Sequence, residues 1–410
     1  MKKIMQINIT CGRGSTGRIS ESLYYATQKQ GNNSIFAYSA YIPTVKNAFK
    51  IENRLQNVLR RALNKYVGRR QKHSTPGTKR LIRYIKREKP ALIHLHNVQQ
   101  NSVNYELLFK FLKASNIPIV YTLHDCWSFT GGCYHFTQVG CDQYQTGCGN
   151  CPQKSVLDDA LRKANDAYKI KADLIGKNEN IHPVCVSKWL CYVAKESYMG
   201  KMKNVPQVIY NGIDTTVFYP RDVDRFSKLG IEKDEFVVLG VASFWTEEKG
   251  MSLFLKIAKR LDFKCRVILI GGGLEQIKSE SDEKIICVER TESVLELADY
   301  YSLADVFINT SIEETFGLTT AEALACGTPA IVFNSTACPE IVDEKTGICV
   351  DYNQVEIDNV VEAIHRIRGN GKKHYTKECI NRVNALFTKE RMIEKYLALY
   401  EEILSEKSSS

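Results

Sequence analysis

Two glutamates with seven residues between them, Glu314 and Glu322, bracket the segment Thr315-Phe316-Gly317-Leu318-Thr319. Residues 306–309 are a short apolar, β-branched run that reads as a buried strand, and 330–333 read as the next one. A helix is expected between them, from about Thr319 to Gly327. In open parallel sheets, ligands bind beyond the carboxyl ends of the strands, where the loop of such a strand–loop–helix–strand unit sits. The first N–H groups of the helix favour an anion such as a diphosphate, and Gly317 lets the backbone come close to it. Thr319-x-x-Glu322 is also a capping-box pattern, in which Glu322 merely satisfies orphan N–H groups. The residues alone leave both roles open.

Further candidates lie at other expected strand ends. A strand over 3–10 runs into Cys11-Gly-Arg-Gly-Ser-Thr-Gly17, ahead of a helix over about 18–29. Such a turn can cradle a phosphate or simply serve packing. Gly14 and Gly17 are its candidates, with Arg13 and Arg18 secondary. A strand over 91–95 carries His94, His96 and Asn97 near its carboxyl end, and one over 117–123 ends in His124-Asp125. A strand over 236–242 precedes Ser243, Phe244 and Thr246-Glu-Glu-Lys-Gly250, which leads into a helix through 261. Lys249 offers a compact ammonium suited to a phosphate. Gly271-Gly-Gly273 closes a strand over 266–270, which makes Gly272 a further candidate at the ligand-facing edge.

Residues 126–152 concentrate Cys126, Cys133, Cys141, Cys148 and Cys151 among aromatics. Cys148-Gly-Asn-Cys151 has the C-x-x-C form of a zinc half-site, and Cys133 with Cys141 could complete a structural metal site. Buried reduced thiols or disulfides are the alternatives. Four thiolates would leave no open coordination position, so no catalytic metal is expected.

The chain has 410 residues, 44% hydrophobic and 25% charged, enough for two globular domains. No apolar run approaches the roughly 18 residues of a membrane span. The apolar run after Lys3 is interrupted by Gln6, Asn8 and Thr10, so it reads as a strand and not as a signal peptide. A cytoplasmic protein with mostly reduced cysteines is expected. The net charge of +10 is concentrated: residues 51–90 hold thirteen Lys or Arg against Glu52 and Glu88, a local +11. An amphipathic helix over 54–70 carries Leu55, Val58, Leu59, Ala62, Leu63, Tyr66 and Val67 beside Arg60, Arg61, Lys65, Arg69 and Arg70. It suits an anionic membrane surface, or packs on the sheet with a solvated basic face. No motif for nucleic acid accompanies the charge.

Glu314, the seven residues, Glu322 and the following Ala-Leu-Ala-Cys-Gly-Thr-Pro resemble the E-x7-E signature of retaining glycosyltransferases of family 4, the glycosyl transferases group 1. Thr122-Leu-His-Asp125 resembles that family's strand end, and Val208 to Pro220 its interdomain junction, where Asn211-Gly212 suits a sharp reversal. The resemblance implies an α/β GT-B fold, with two Rossmann-like domains whose parallel sheets face across a cleft and a C-terminal helix crossing back to the first domain. It implies an acceptor domain over 1–212 with the Cys-rich insertion 126–152, a donor domain over 213–387, and a crossover helix and tail over 388–410, with Ser408 to Ser410 disordered. Glu314 and His124 would face the transferred sugar, His96 being a weaker neighbour. Lys249 would meet the donor phosphates and Glu322 the ribose. Thr315, Phe316, Gly317, Leu318, Thr319, Gly14, Gly17, Ser243 and Gly272 would line the donor. Ser243 departs from the pattern, standing where the family has an arginine. The implied activity is hexosyl transfer from a nucleoside-diphosphate sugar to a saccharide or lipid-linked acceptor in cell-surface polysaccharide synthesis, exopolysaccharide or lipopolysaccharide, by an enzyme peripheral to the inner face of the cytoplasmic membrane. A sugar-phosphate phosphorylase or epimerase of the same fold is an alternative, as is a catalytically silent nucleotide-binding scaffold.

Overall fold

The computed structural model describes residues 1–66, 74–99, 103–153, 164–223, 229–232, 234–279, 282–352 and 357–409. The chain divides into two compact units, Met1–Ile209 with Met392–Ser410, and Tyr210–Arg391.

The first unit is built on β1 (Lys3–Ile7), β2 (Asn33–Tyr38), β3 (Ala48–Lys50), β4 (Leu92–Leu95), β5 (Ile119–Leu123), β6 (Ile181–Cys185) and β7 (Gln207–Val208). They pair in the order β3-β2-β1-β4-β5-β6-β7, and every pairing is parallel. β4 and β5 are buried at each position. Parallel strands covered on both faces need such unbroken burial. From β1 the chain steps outward to β2 and β3, then returns to the other side of β1 with β4. Strand order therefore reverses between β1 and β4. The helix Lys389–Ser409 supplies Met392, Tyr396, Leu399, Tyr400 and Ile403, spaced three or four apart, to a core with Ile4, Leu92, Val120 and Val184. It continues through Ser408 to Ser409, where a disordered tail was expected; Ser410 lies outside the described residues.

The second unit contains β8 (Phe236–Phe244), β9 (Cys265–Gly272), β10 (Ile285–Val288), β11 (Val306–Asn309), β12 (Ala330–Phe333) and β13 (Gly347–Val350). Their order is β10-β9-β8-β11-β12-β13, again all parallel, with the reversal between β8 and β11. A parallel sheet with intervening helices in each unit makes this an α/β protein of Rossmann-like architecture. Among the described residues no helix is long and apolar enough to cross a membrane.

Several elements differ from the sequence expectations. β2, β3 and β10 are additional, as is the helix Lys372–Leu386, which buries only the narrow stripe Tyr375, Cys379 and Val383. The helix expected over 54–70 spans Arg54–Tyr66, and Val67, Arg69 and Arg70 lie outside the described residues. Of the helix expected over about 158–175, the described part begins at Ala164, and Asp158 lies outside it. Gly212 does not make a sharp reversal. Ile213 N–H donates to the Phe387 carbonyl at 2.7 Å and Lys389 N–H returns to the Ile213 carbonyl at 2.9 Å. A Cβ on Gly212 would stand 2.5 Å from Lys389 Cα, so close backbone approach is what requires glycine here.

The same logic is stricter at Gly347, which pairs with Ala330 across β12 and β13. An added Cβ would lie 1.9 Å from the Ala330 carbonyl oxygen. Gly347→Ala is expected to lower stability by about 1–3 kcal/mol through forced separation of the two strands. An unchanged urea midpoint would show that β13 is not held in this register.

Candidate functional site

The reversal between β8 and β11 sends their following loops in opposite directions and leaves both loop starts side by side. After β8 the chain makes a short 3-10 turn, Glu247–Lys249, and then Gly250 with φ 76°. A Cβ at Gly250 would come within 2.4 Å of Thr310 Oγ1, so glycine is needed for both conformation and space. The Thr310 hydroxyl donates to the Lys249 carbonyl, tying the loop after β8 to that after β11. Lys249 Nζ then donates to Glu314 Oε1 at 3.0 Å and to Ser311 Oγ at 3.1 Å. Sequence reasoning did not single out Ser311, a residue with no motif of its own.

Glu314 is held through its backbone. Its N–H donates to Thr336 Oγ1 at 3.0 Å, its carbonyl accepts from Ala337 N–H at 3.2 Å, and Ser335 Oγ donates to the Ile312 carbonyl at 2.7 Å. Buried Asn309, at the end of β11, donates to Thr320 Oγ1 at 3.1 Å and accepts from Ser311 N–H at 3.0 Å. One amide thus fixes both the loop and the helix that follows.

That helix, Leu318–Ala325, is capped by Gly317 at φ 96° with no side-chain cap. Glu322 therefore stands too far along for a capping box, and Thr319 is already inside the helix. Its buried carboxylate accepts from Tyr301 OH at 3.1 Å. The Phe316 ring is buried against Tyr210 and Phe387, while Thr315, Leu318 and Thr319 remain partly exposed. Ser243 is exposed at the end of β8 beside Phe244. A Cβ on Gly272 would meet the Phe244 ring at 3.1 Å, and Gly271 and Gly273 have φ of 141° and 80°. The strand end around Gly272 is thus shaped by glycine and covered by one exposed aromatic ring.

Gly14, Gly17 and His124 belong to the first unit. The helix begins at Gly14, four residues earlier than expected, so Gly17 lies within its first turn and not in the loop. A Cβ on Gly17 would meet Thr10 Oγ1 at 2.6 Å. Arg13 is the N-cap residue and stacks its guanidinium 4.8 Å from the centre of the Tyr41 ring. His124 follows β5 directly, and its Nε2 lies 3.1 Å from Nδ1 of buried His96. Burial lowers His124 to about 4 and holds His94 and His96 well below the usual imidazole range. Next to it, burial raises Asp125 to about 6 while Trp127 N–H and Gln99 Nε2 donate to its two oxygens.

The four thiols expected to bind a structural metal, Cys133, Cys141, Cys148 and Cys151, gather within electrostatic reach of one another. All four are free thiols, and among the described residues no three His, Cys, Asp or Glu side chains are set to hold an ion. Cys148 also accepts Gly131 N–H at 3.0 Å and packs with Ala164 and Tyr168. Burial raises Cys133 and Cys141, and pushes Cys148 up to about 11.

The helix Arg54–Tyr66 turns opposite to the packed-on-the-sheet alternative. Leu55, Val58 and Leu59 are 80%, 62% and 59% exposed. Arg60 faces inward, its Nε 2.8 Å from the buried carboxylate of Glu52.

The model of the glycosyl transferases group 1 matches residues 235–370. Over 220 residues the chain is 25% identical to N-acetyl-alpha-D-glucosaminyl L-malate synthase of Bacillus anthracis, covering 48% of this chain and 54% of that protein. The chain thus spans about half the length of that relative. It is 27% identical to alpha-monoglucosyldiacylglycerol synthase of Acholeplasma laidlawii over 299 residues, 69% of each chain. In fold it is similar to sucrose-phosphate synthase of Thermosynechococcus elongatus, with a TM-score of 0.74 at 18% identity over 99% of this chain and 100% of that one. The Anabaena protein Alr3699/HepE in complex with UDP-glucose gives 0.68 at 15% identity over 98% and 100%.

The buried histidines set a pH dependence. In the unfolded chain each takes a proton near pH 6.5, whereas in the folded chain His124 does so only near 4. Between these values the unfolded state binds more protons, so stability falls as pH falls. Asp125, raised to about 6, opposes this below pH 6, but one carboxyl faces three imidazoles. Urea unfolding at pH 7, 6 and 5 should show a steady loss; a flat or rising profile would mean that these rings are charged in the fold.

Proposed function

We propose that this chain, whose residues 235–370 match the model of the glycosyl transferases group 1, moves a hexosyl-type sugar, with retention of anomeric configuration, from a nucleoside-diphosphate sugar to a saccharide or lipid-linked acceptor. The observation that carries this reading is the convergence of Lys249, Ser311 and Glu314 beside the helix that opens at Gly317. A cation and the free N–H groups of a helix start, brought together at a strand-order reversal, form a site for a leaving diphosphate. Alr3699/HepE, a protein of the same fold, is known with UDP-glucose, which supports a donor of this class.

In this reading the second unit is the donor domain and the first the acceptor domain. Lys249 and the N–H groups of Leu318 and Thr319 stabilise the negative charge that builds on the leaving diphosphate. Ser243 brings no charge to this task, which leaves Lys249 as the main ammonium near the phosphates. Its pairing with Glu314 is half-exposed, and such pairs contribute about 0–1 kcal/mol. Exchange of Glu314 for a phosphate oxygen therefore costs little, and it leaves the Glu314 carboxylate turned to the sugar. Glu322, held by Tyr301, accepts from the ribose hydroxyls. Within the first unit, the Gly14–Gly17 turn offers its N–H groups to an anion, and His124 hydrogen-bonds a sugar.

The enzyme works at an anionic membrane surface. Leu55, Val58 and Leu59 form an outward apolar face within the most basic stretch of the chain. Burying one such side chain is favourable by about 1.5–3 kcal/mol, and nearby Lys and Arg add attraction to anionic headgroups. An acceptor carried in the bilayer would meet the enzyme there. The diacylglycerol in the name of the Acholeplasma relative supports a lipid acceptor.

Two outcomes test the reading. Against a panel of nucleotide sugars, the parent should release nucleoside diphosphate from one of them, and Glu314→Ala should lose at least about a hundredfold of that rate. Absence of both turnover and nucleoside-diphosphate binding in the parent would favour the phosphorylase or epimerase alternative. Leu55→Asp with Leu59→Asp should weaken binding to phosphatidylglycerol vesicles at least about tenfold without lowering the melting temperature, because both side chains are exposed. A parent that ignores such vesicles at low salt would remove the membrane from the account.

A further inference from the structure

Through the sheet of the first unit runs a chain of buried polar side chains, of which the transfer reading uses one end. His124 Nε2 is 3.1 Å from His96 Nδ1, and His96 Nε2 is 3.0 Å from Gln6 Oε1. Gln6 Nε2 donates to Tyr400 OH at 3.2 Å, and that hydroxyl meets His94 Nδ1. His94 Nε2 is 2.7 Å from Thr122 Oγ1, which is 2.8 Å from Tyr396 OH. Gln6, His94, His96, Thr122, Tyr396 and Tyr400 are all at most 2% exposed. Polar groups so deep in an apolar sheet are costly unless each is satisfied.

Counting hydrogens gives the chain a direction. Burial keeps the imidazoles neutral, so each ring has one N–H and one acceptor nitrogen. The Gln6 carbonyl facing His96 can only accept, which puts the His96 hydrogen on Nε2 and leaves its Nδ1 as an acceptor. His124 must then donate through Nε2–H, with its lone pair on Nδ1. On the other arm the Gln6 NH2 donates to Tyr400, whose hydrogen goes to His94 Nδ1, and His94 Nε2–H donates to Thr122. The orientation of the Gln6 amide sets the sense of the His96–His124 arm. Reversing His124 requires the Gln6 amide to turn over, and Tyr400 on the last helix then has to reverse with it.

We propose that Gln6 and Tyr400 are positioning residues that lock His124 into its Nε2–H tautomer, so that the last helix determines which nitrogen of His124 carries the hydrogen. The consequence for transfer rests on the reading above; the coupling itself does not.

The test is a long-range ¹H–¹⁵N spectrum of protein labelled at its eight histidines, assigned by single His→Gln variants. The parent should show His94, His96 and His124 as neutral Nε2–H rings. Tyr400→Phe keeps the ring in the core but removes the hydroxyl, and should turn His96 and His124 into tautomer mixtures. Gln6→Met cuts the link elsewhere: His96 and His124 should change while His94 keeps its pattern, and this variant serves alone if Tyr400→Phe fails to fold. A parent His124 with its hydrogen on Nδ1, or folded variants with unaltered patterns, would overturn the proposal. With a donor that the parent consumes, Tyr400→Phe should lower kcat roughly ten- to hundredfold at nearly constant KM; unchanged kcat beside altered tautomers would end the positioning role. Coupled tautomers in a parent that neither consumes a nucleotide sugar nor binds a nucleoside diphosphate would sink the transfer reading and leave the coupling intact, while turnover with uncoupled tautomers would do the reverse.

Discussion

Each sheet reverses its strand order once, and the meeting of Lys249, Ser311 and Glu314 depends on the reversal in the second unit. Parallel strands need crossover connections that run over one face or the other, and the covering face changes where the order turns back. Between β8 and β11 the two loops depart in opposite directions, leaving a gap in the cover above the strand ends. Lys249 arrives from one side and Ser311 with Glu314 from the other, though sixty or more residues separate them in sequence. Gly250, Asn309 and Thr336 make that meeting specific: a glycine removes a clash, an amide spans loop and helix, and a hydroxyl holds the Glu314 backbone.

Much of this frame was legible from local pattern. Strands such as 306–309 and 119–123 announce themselves as unbroken apolar runs, and glycine marks where loops must pass closely. The helix Lys372–Leu386 was not legible, because three buried positions in fifteen give almost no periodic signal. β10 is only partly buried along its length and sits at the sheet edge. The Thr319-x-x-Glu322 pattern was misleading by register: whether Thr319 is a cap depends on where helical geometry begins, and Gly317 takes that position. The role of Tyr301 in holding Glu322 carries no local signal, since that contact depends on how two helices pack.

Two features show the limits of composition. Four cysteines with a C-x-x-C pair suggest a metal, and the spacing does not reveal that Cys148 also packs with Ala164 and Tyr168 and accepts one backbone N–H. The amphipathic helix Arg54–Tyr66 presents the other case. Periodicity identifies its apolar face but cannot say what lies against it. The inward ion pair between Arg60 and Glu52 turns the polar side to the body and leaves the apolar side outward.

The last helix has a consequence for how the protein is made. The first unit draws its core from residues 4 to 209 and from Met392 to Leu404. During synthesis, Ile4, Leu92, Val120 and Val184 therefore emerge without their covering layer, and some 180 intervening residues are added before it appears. At about 5–20 residues per second that interval is roughly 10–40 s. The second unit has all its own strands and can close within this time, so the order of completion inverts the order of translation. For that interval the nascent chain carries an apolar sheet face that only its last helix can cover.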